Sequence, residues 1–234
     1  MNDGNISRFR ATLYPHYDRL IRDVATVPGD KCFFCMQWGK NFSAGDGLFF
    51  AGRAVNGWFG GNEVREIFGD GKNAAFNRPD QMQWLEDAEG CRDYNTRNSA
   101  FWRLIRRISS RFYPENWSSH TAWSNVCKVA PDAGGNPDAA LYRAQLKECR
   151  EILREELRFL SPRAVVMLTG ECWAKDFLEF LNGGVTPDAL RTKTWGGGRY
   201  KCSEYKIDGT KVIVSEHPQG KNEDEHVDCI LSML

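Results

Sequence analysis

The sequence predicts an α/β fold, a parallel sheet covered by helices on both faces. Four short apolar runs carry that reading: 47–52 (GLFFAG), 121–129 (TAWSNVCKV), 164–169 (AVVMLT) and 211–216 (KVIVSE). Each closes on a polar or glycine-containing turn, as strands buried on both faces do. Amphipathic helical stretches lie between them, and strand–helix alternation is the signature of parallel strands joined by crossovers.

Taken in order, residues 6–25 (ISRFRATLYPHYDRLIRDVA) space their apolar side chains at helical intervals, with Pro15 expected to break or restart the helix. Residues 47–52 form a strand that runs into the glycine-bounded loop GRAVNGW. Residues 98–112 (NSAFWRLIRRISSRF) form an amphipathic helix with Arg103, Arg106, Arg107 and Arg111 on its solvent side. The second strand, 121–129, is followed by a helix over 138–160. Asn136 can cap that helix, Pro137 suits its first turn, and Tyr142, Leu146, Cys149, Leu153, Leu157 and Leu160 make its stripe. Strand 164–169 comes next, then the glycine-rich TWGGGRYKC (194–202), read as a flexible connection, and the last strand, 211–216, which runs into HPQG. With no internal repeat or linker, residues 1–234 read as a single domain with a helical lead-in over about 1–45.

The 234 residues include 41% apolar and 12% aromatic side chains, ample for one packed core. Lys and Arg balance Asp and Glu at 31 each, so any anion-binding surface must be local. The opening MNDGNISRFR lacks an apolar core, and no apolar run approaches transmembrane length. The expectation is a cytoplasmic protein with no membrane partner. Eight scattered cysteines then point to reduced thiols or a metal site. Cys32 and Cys35 have the spacing of half such a site, with Cys127 and Cys149 next in order, but ordinary buried thiols explain all four and no cofactor or metal is expected.

In parallel sheets ligands bind beyond the carboxyl ends of the strands, here 53–63, 125–131, 170–173 and 217–222. His217, held at a strand end by Pro218, can donate into a cleft there, and a neutral imidazole can stabilise developing negative charge. The loop 52–57 needs Gly52 and Gly57 for close backbone approach. Asn125 sits inside a strand, where a buried amide either pairs with backbone or reads a nucleobase edge. The arginine helix following Phe101 and Trp102 is either a phosphate-contacting face or a solvated one.

In this order, AGRAVNG, SNVCKVAP, the helix-to-strand segment LYRAQLKECREILREELRFLSPRAVVMLTG and VIVSEHPQG resemble the motifs of the uracil-DNA glycosylase superfamily, over about 47–225. The family's counterparts read "VGEAPG" or "VGINPG", "TNVVKCRPP", a helix with "L.P" before a strand, and "HPS". The resemblance implies a three-layer αβα sandwich around a four-stranded parallel sheet. It also implies DNA containing a damaged base as partner: the base is flipped into a pocket and its N-glycosidic bond is cleaved by an activated water. Carried over, His217 stabilises charge on the leaving base and Asn125 reads the base. Gly52, Arg53, Ala54, Asn56 and Gly57 line the pocket and hold the water, and Phe101 lies near it.

The departures from the family are chemical. In the register that keeps FF against Gly52, Arg53 replaces the catalytic glutamate and cannot act as a base. The other register matches Asn56 to the asparagine of "GINPG". Asn56 would position water, with Glu63 or Glu216 supplying a carboxylate. In the family's iron–sulfur branch the third cysteine falls at Val129. Gln219 replaces serine, and KNEDE adds acids that would repel phosphates. The expected function is therefore a glycosylase-like protein that binds a flipped damaged base and hydrolyses its bond. The alternatives are a non-catalytic nucleic-acid or nucleotide sensor and a hydrolase of free nucleosides.

Overall fold

The computed structural model describes residues 3–58, 63–68, 79–92 and 94–234. Its helices are α1 (Asp3–Ala25), α2 (Val64–Phe68), α3 (Trp84–Asp87), α4 (Ala100–Ser109), α5 (Ala139–Leu160), α6 (Glu171–Leu181) and α7 (Glu223–Leu231). Its strands are β1 (Lys31–Phe33), β2 (Gln37–Trp38), β3 (Leu48–Gly52), β4 (Thr121–Asn125), β5 (Val129–Pro131), β6 (Ala164–Leu168), β7 (Arg191–Trp195), β8 (Tyr200–Ile207) and β9 (Thr210–Ser215). Among the described residues no helix is long and apolar enough to cross a membrane.

The main sheet runs β2-β4-β3-β6-β9-β8-β7. The four expected strands are its parallel centre, β4-β3-β6-β9, and β2, β8 and β7 extend it antiparallel at the two edges. Side chains alternate across the central strands with period two. Phe49, Ala51, Val165, Met167, Val212 and Val214 face a core under α1, α5 and α6. Leu48, Phe50, Val166, Leu168 and Ile213 face a second core under α4 and α7. Two cores on one sheet make the three-layer αβα sandwich.

Several elements differ from expectation for local reasons. Pro15 does not break α1: Phe9, Leu13, Tyr17, Leu20 and Val24 bury one stripe, which outweighs the roughly 3 kcal/mol of an interior proline. The strand expected over 121–129 ends at Asn125, and residues 129–131 pair with β1 instead. The cap of α5 is Asp138, which accepts from Leu141 N at 2.8 Å, rather than Asn136. Its buried face also carries Gln145, Glu148 and Glu156, whereas Tyr142, Leu146 and Leu157 are only partly buried. The glycine-rich 194–202 is no flexible connection but the turn and arms of a hairpin, β7–β8, whose exposed first arm lacks an apolar run.

Because β3, β4, β6 and β9 are parallel and in register, Gly52 pairs with Asn125 and Leu168 with Ser215. The segments that follow these strands therefore emerge at one edge of the sheet.

Candidate functional site

At that edge lies a cavity of about 680 Å³. Residues Gly52 to Trp58 line it from the end of β3, Trp123 and Asn125 from β4, Ser99, Phe101 and Trp102 from the start of α4, and His217 and Gln219 from the segment after β9. Trp84, Tyr94, Gly135 and Asn136 complete the wall. Of the side chains expected from sequence, His217, Asn56, Gly52, Arg53, Ala54, Gly57, Asn125 and Phe101 all meet here. Residues 59–62 of the first loop lie outside the described residues.

Asn125 is 2% exposed, and among the described residues its Nδ2 has no hydrogen-bond partner. Gly52 is a glycine for a steric reason, since a Cβ there would overlap Asn125 Oδ1 and touch the Phe101 ring. The strand pairing Gly52↔Asn125 thus sets the amide directly beside a residue with no side chain.

His217 lies near-parallel to Phe101, at an interplanar angle of 16° and a centroid distance of 6.2 Å. Burial, followed by the positive charges of Arg53 and Lys221, pushes its pKa down to about 4. The ring is therefore neutral near pH 7. Gln219 N donates to its Nδ1 at 3.4 Å, which leaves Nε2–H as the ring's donor.

Arg53 Nε donates to Thr169 O at 2.7 Å, and the guanidinium lies over Trp173 at 5.8 Å. A Cβ built at Gly170 would lie 3.2 Å from Glu216 Oε2 and 3.6 Å from Arg53 Nη2, so cation and carboxylate share that corner. Asn56 Oδ1 accepts from Gly135 N at 3.2 Å, which ties the first loop to the 134–136 turn. Glu63 is exposed, pairs with Arg65 and does not line the cavity. Among the described residues no carboxylate lines it.

Behind β4, Lys128 Nζ donates to Asn125 O at 2.7 Å and to Glu156 Oε2 at 2.9 Å, and Ser124 Oγ donates to the same Oε2 at 2.7 Å. Lys128 and Glu156 have side-chain exposures of 0% and 0%, and burial raises the Glu156 carboxyl. This buried pair grips the backbone of Asn125 from the face opposite the Phe50 core. The cysteines nearby are committed to packing. Cys149 Sγ accepts from Lys128 N at 3.3 Å, and burial pushes Cys35 and Cys149 up to about 12. Cys32 packs in the core under α4 and α7 whereas Cys35, Cys127 and Cys149 pack in the core under α1, α5 and α6, and with Val129 at the third position these four thiols do not fit one iron–sulfur ligand set. Among the described residues no group of His, Cys, Asp and Glu could hold a metal ion.

At the rim, the arginine face of α4 and the acids of KNEDE neutralise each other. Arg103 Nε donates to Glu223 Oε1 and Oε2 at 3.0 and 3.1 Å, and Arg107 pairs with Asp224 at 2.6 Å. Arg106 and Arg97 share Glu89, at 2.7 and 2.8 Å. The acids also begin α7, where Asn222 Oδ1 caps Asp224 N and Glu225 N and the helix dipole favours negative charge. Neither the arginine face, read from the sequence as phosphate-contacting or solvated, nor the repulsive loop expected there stands alone.

Sequence reasoning missed the tryptophans. Trp123 is in ring contact with Trp102 at 4.8 Å, Trp58 at 5.2 Å and Trp84 at 6.0 Å, all on the cavity wall. The available signal was compositional, eight tryptophans in a mid-sized chain, but their convergence from four separate segments is tertiary.

Compared with known families, residues 31–228 match the model of the uracil DNA glycosylase superfamily. Among curated proteins none matches the chain.

Proposed function

Because the chain belongs to the uracil-DNA glycosylase superfamily, we propose that its cavity binds a damaged base flipped out of DNA and that the protein hydrolyses the base's N-glycosidic bond. The observation that supports this most is the meeting of Asn125, whose Nδ2 has no partner among the described residues, the Phe101 ring and a neutral His217 at the carboxyl edge of the sheet. Asn125 reads an acceptor on the base, and Phe101 gives it a stacking face. As the carbon–nitrogen bond breaks, its electron pair goes to the base, and His217 Nε2–H stabilises the charge without itself losing a positive charge. Asn56, anchored by Gly135, positions the attacking water or the sugar. With no carboxylate among the described lining residues, the water's proton passes to solvent and turnover is slow.

The test is a screen of single- and double-stranded oligonucleotides carrying uracil, hypoxanthine or xanthine, with base release and binding measured together. Release that disappears in His217→Ala supports the proposal. The proposal fails if no damaged base is released or bound above an undamaged control. The lack of a carboxylate among the described lining residues favours a second reading, a non-catalytic sensor, for which His217→Ala would keep affinity and no base would be released. Competition by free nucleosides separates either case from a nucleoside hydrolase.

A further inference from the structure

Away from the cavity, the sheet and the last helix bring a pair of thiols together. Lys193, Cys202 and Ser215 are aligned partners across β7, β8 and β9, so their side chains share one face of the sheet. That face lies under α7, where Ser215 Oγ and His226 Nε2 are hydrogen-bonded at 2.8 Å and Trp195 stacks on the same imidazole at 4.1 Å. Cys229 follows His226 by three residues and therefore stands on the same side of the helix. Strand register and helix spacing thus converge, and the Cys202 and Cys229 thiols are hydrogen-bonded to each other. Both are free thiols in the same core.

We propose that Cys202 and Cys229 form a modification site, a dithiol that a peroxide converts reversibly to a disulfide, latching the C-terminal helix to the sheet. Exposure and ionisation divide the roles. Cys202 is 0% exposed and Cys229 8%, so peroxide meets Cys229 first. The hydrogen bond from Cys202 lowers the Cys229 thiol to about 7, with burial opposing it and the Lys193 charge assisting, whereas Cys202 is raised by the same contact and by burial. The thiolate is the nucleophile, and Cys35 and Cys149 in the other core, pushed up to about 12, stay protonated. The Cys229 thiolate attacks one peroxide oxygen and the O–O bond breaks. Hydroxide leaves and takes up the proton the thiol released, giving water and a sulfenic acid on Cys229. The Cys202 sulfur then attacks the Cys229 sulfur, the S–O bond breaks, and the Cys202 proton departs with the hydroxyl as a second water. The sulfurs lose two electrons in all, and the peroxide gains them. Because α7 begins at Glu223, just after the segment that carries His217 and Gln219, the latch also fixes the far end of that segment.

The test treats the intact protein with a small excess of hydrogen peroxide, blocks the remaining thiols, digests with trypsin and weighs the peptides. The pieces CSEYK (202–206) and NEDEHVDCILSML (222–234) are expected as one species, lighter than their sum by two hydrogens and parted again by dithiothreitol. The oxidised protein should also withstand more urea, its midpoint rising by about 1 M, because the bond closes a loop in the unfolded chain. Neither change should occur in Cys229→Ser. In Cys202→Ser, which removes the partner thiol, Cys229 should stop at the sulfenic acid and be captured by dimedone. Peptide mapping of the unaltered protein carries the test even where a serine variant does not fold. Peroxide that oxidises the exposed Cys91 and Cys172 yet leaves Cys202 and Cys229 unlinked overturns the assignment, and a linked protein with an unchanged urea midpoint overturns the latch.

Discussion

His217 is held neutral by burial, with Arg53 adding a repulsive charge, so its protonation falls far below the usual histidine range, to about 4. Base binding or release should therefore stay flat from pH 8 to about 5.5, with its acid limb near 4 rather than near 6.5. Removing the second cause, in Arg53→Ala, should move that limb upward. A pH profile of kcat/KM or of affinity for both proteins checks it, and an acid limb near 6.5 in the unaltered protein counts against the neutral imidazole. At Gly52 the prediction is steric. Gly52→Ala displaces Asn125 Oδ1 and should weaken base binding by about ten-fold or more, while urea unfolding shows a stability loss of only about 1–3 kcal/mol. The residues at this scale were largely legible. His217, Asn125 and the 52–57 loop stand in short local patterns at strand ends, and a strand end is a position the chain itself declares. Glu63 was not legible, because whether a side chain ten residues along a loop turns inward depends on contacts that spacing does not encode.

Among the elements, β4 shows most plainly what sequence conveys and what it withholds. Its apolar run announces a strand, but the strand stops at Asn125 while the run goes on, and beyond it Lys128 donates to that residue's carbonyl and pairs with Glu156. A lysine and a glutamate 28 residues apart, both with fully buried side chains, leave no local signature, and the glutamate even looks like a surface residue of an amphipathic helix. Lys128→Met strands Glu156 in the core and should cost about 3–5 kcal/mol, whereas Lys128→Met with Glu156→Leu should recover most of it. Chemical denaturation of both variants measures the difference, and equal losses would show that the pair itself carries the stability. The hairpin β7–β8 was hidden for the opposite reason. Its first arm is charged and exposed, so the alternation that marks a half-buried strand is absent, and only pairing with β9 through β8 makes it part of the sheet.

For the whole molecule, the α/β class and the parallel centre followed from four runs and the stretches between them, because both faces of those strands are dry. The edges did not, since an edge strand is defined by its partner. Acid sensitivity belongs to this scale. His226 bonds Ser215 Oγ at 2.8 Å, stacks on Trp195 at 4.1 Å and has its pKa pushed down to about 3 by burial first and the Lys221 charge second. A histidine kept neutral in the fold is protonated first in the unfolded chain. Its contribution is therefore complete above about pH 6.5 and declines as pH falls toward the folded value, at up to about 1.4 kcal/mol per unit. Urea midpoints measured from pH 7 to 4 should fall for the native protein and fall less steeply for His226→Gln. The ion pairs between α4 and α7 have a different reach. Arg103 and Arg107 are already paired with carboxylates, so they have little positive charge left with which to neutralise phosphates and displace the cations condensed on a polyanion. Few cations would then be released on association, and log affinity against log salt should slope by no more than about 2, against the 6–10 phosphate contacts of strongly electrostatic binders. Such a surface would let the fit of one base, rather than the pull of the backbone, decide where the protein stops.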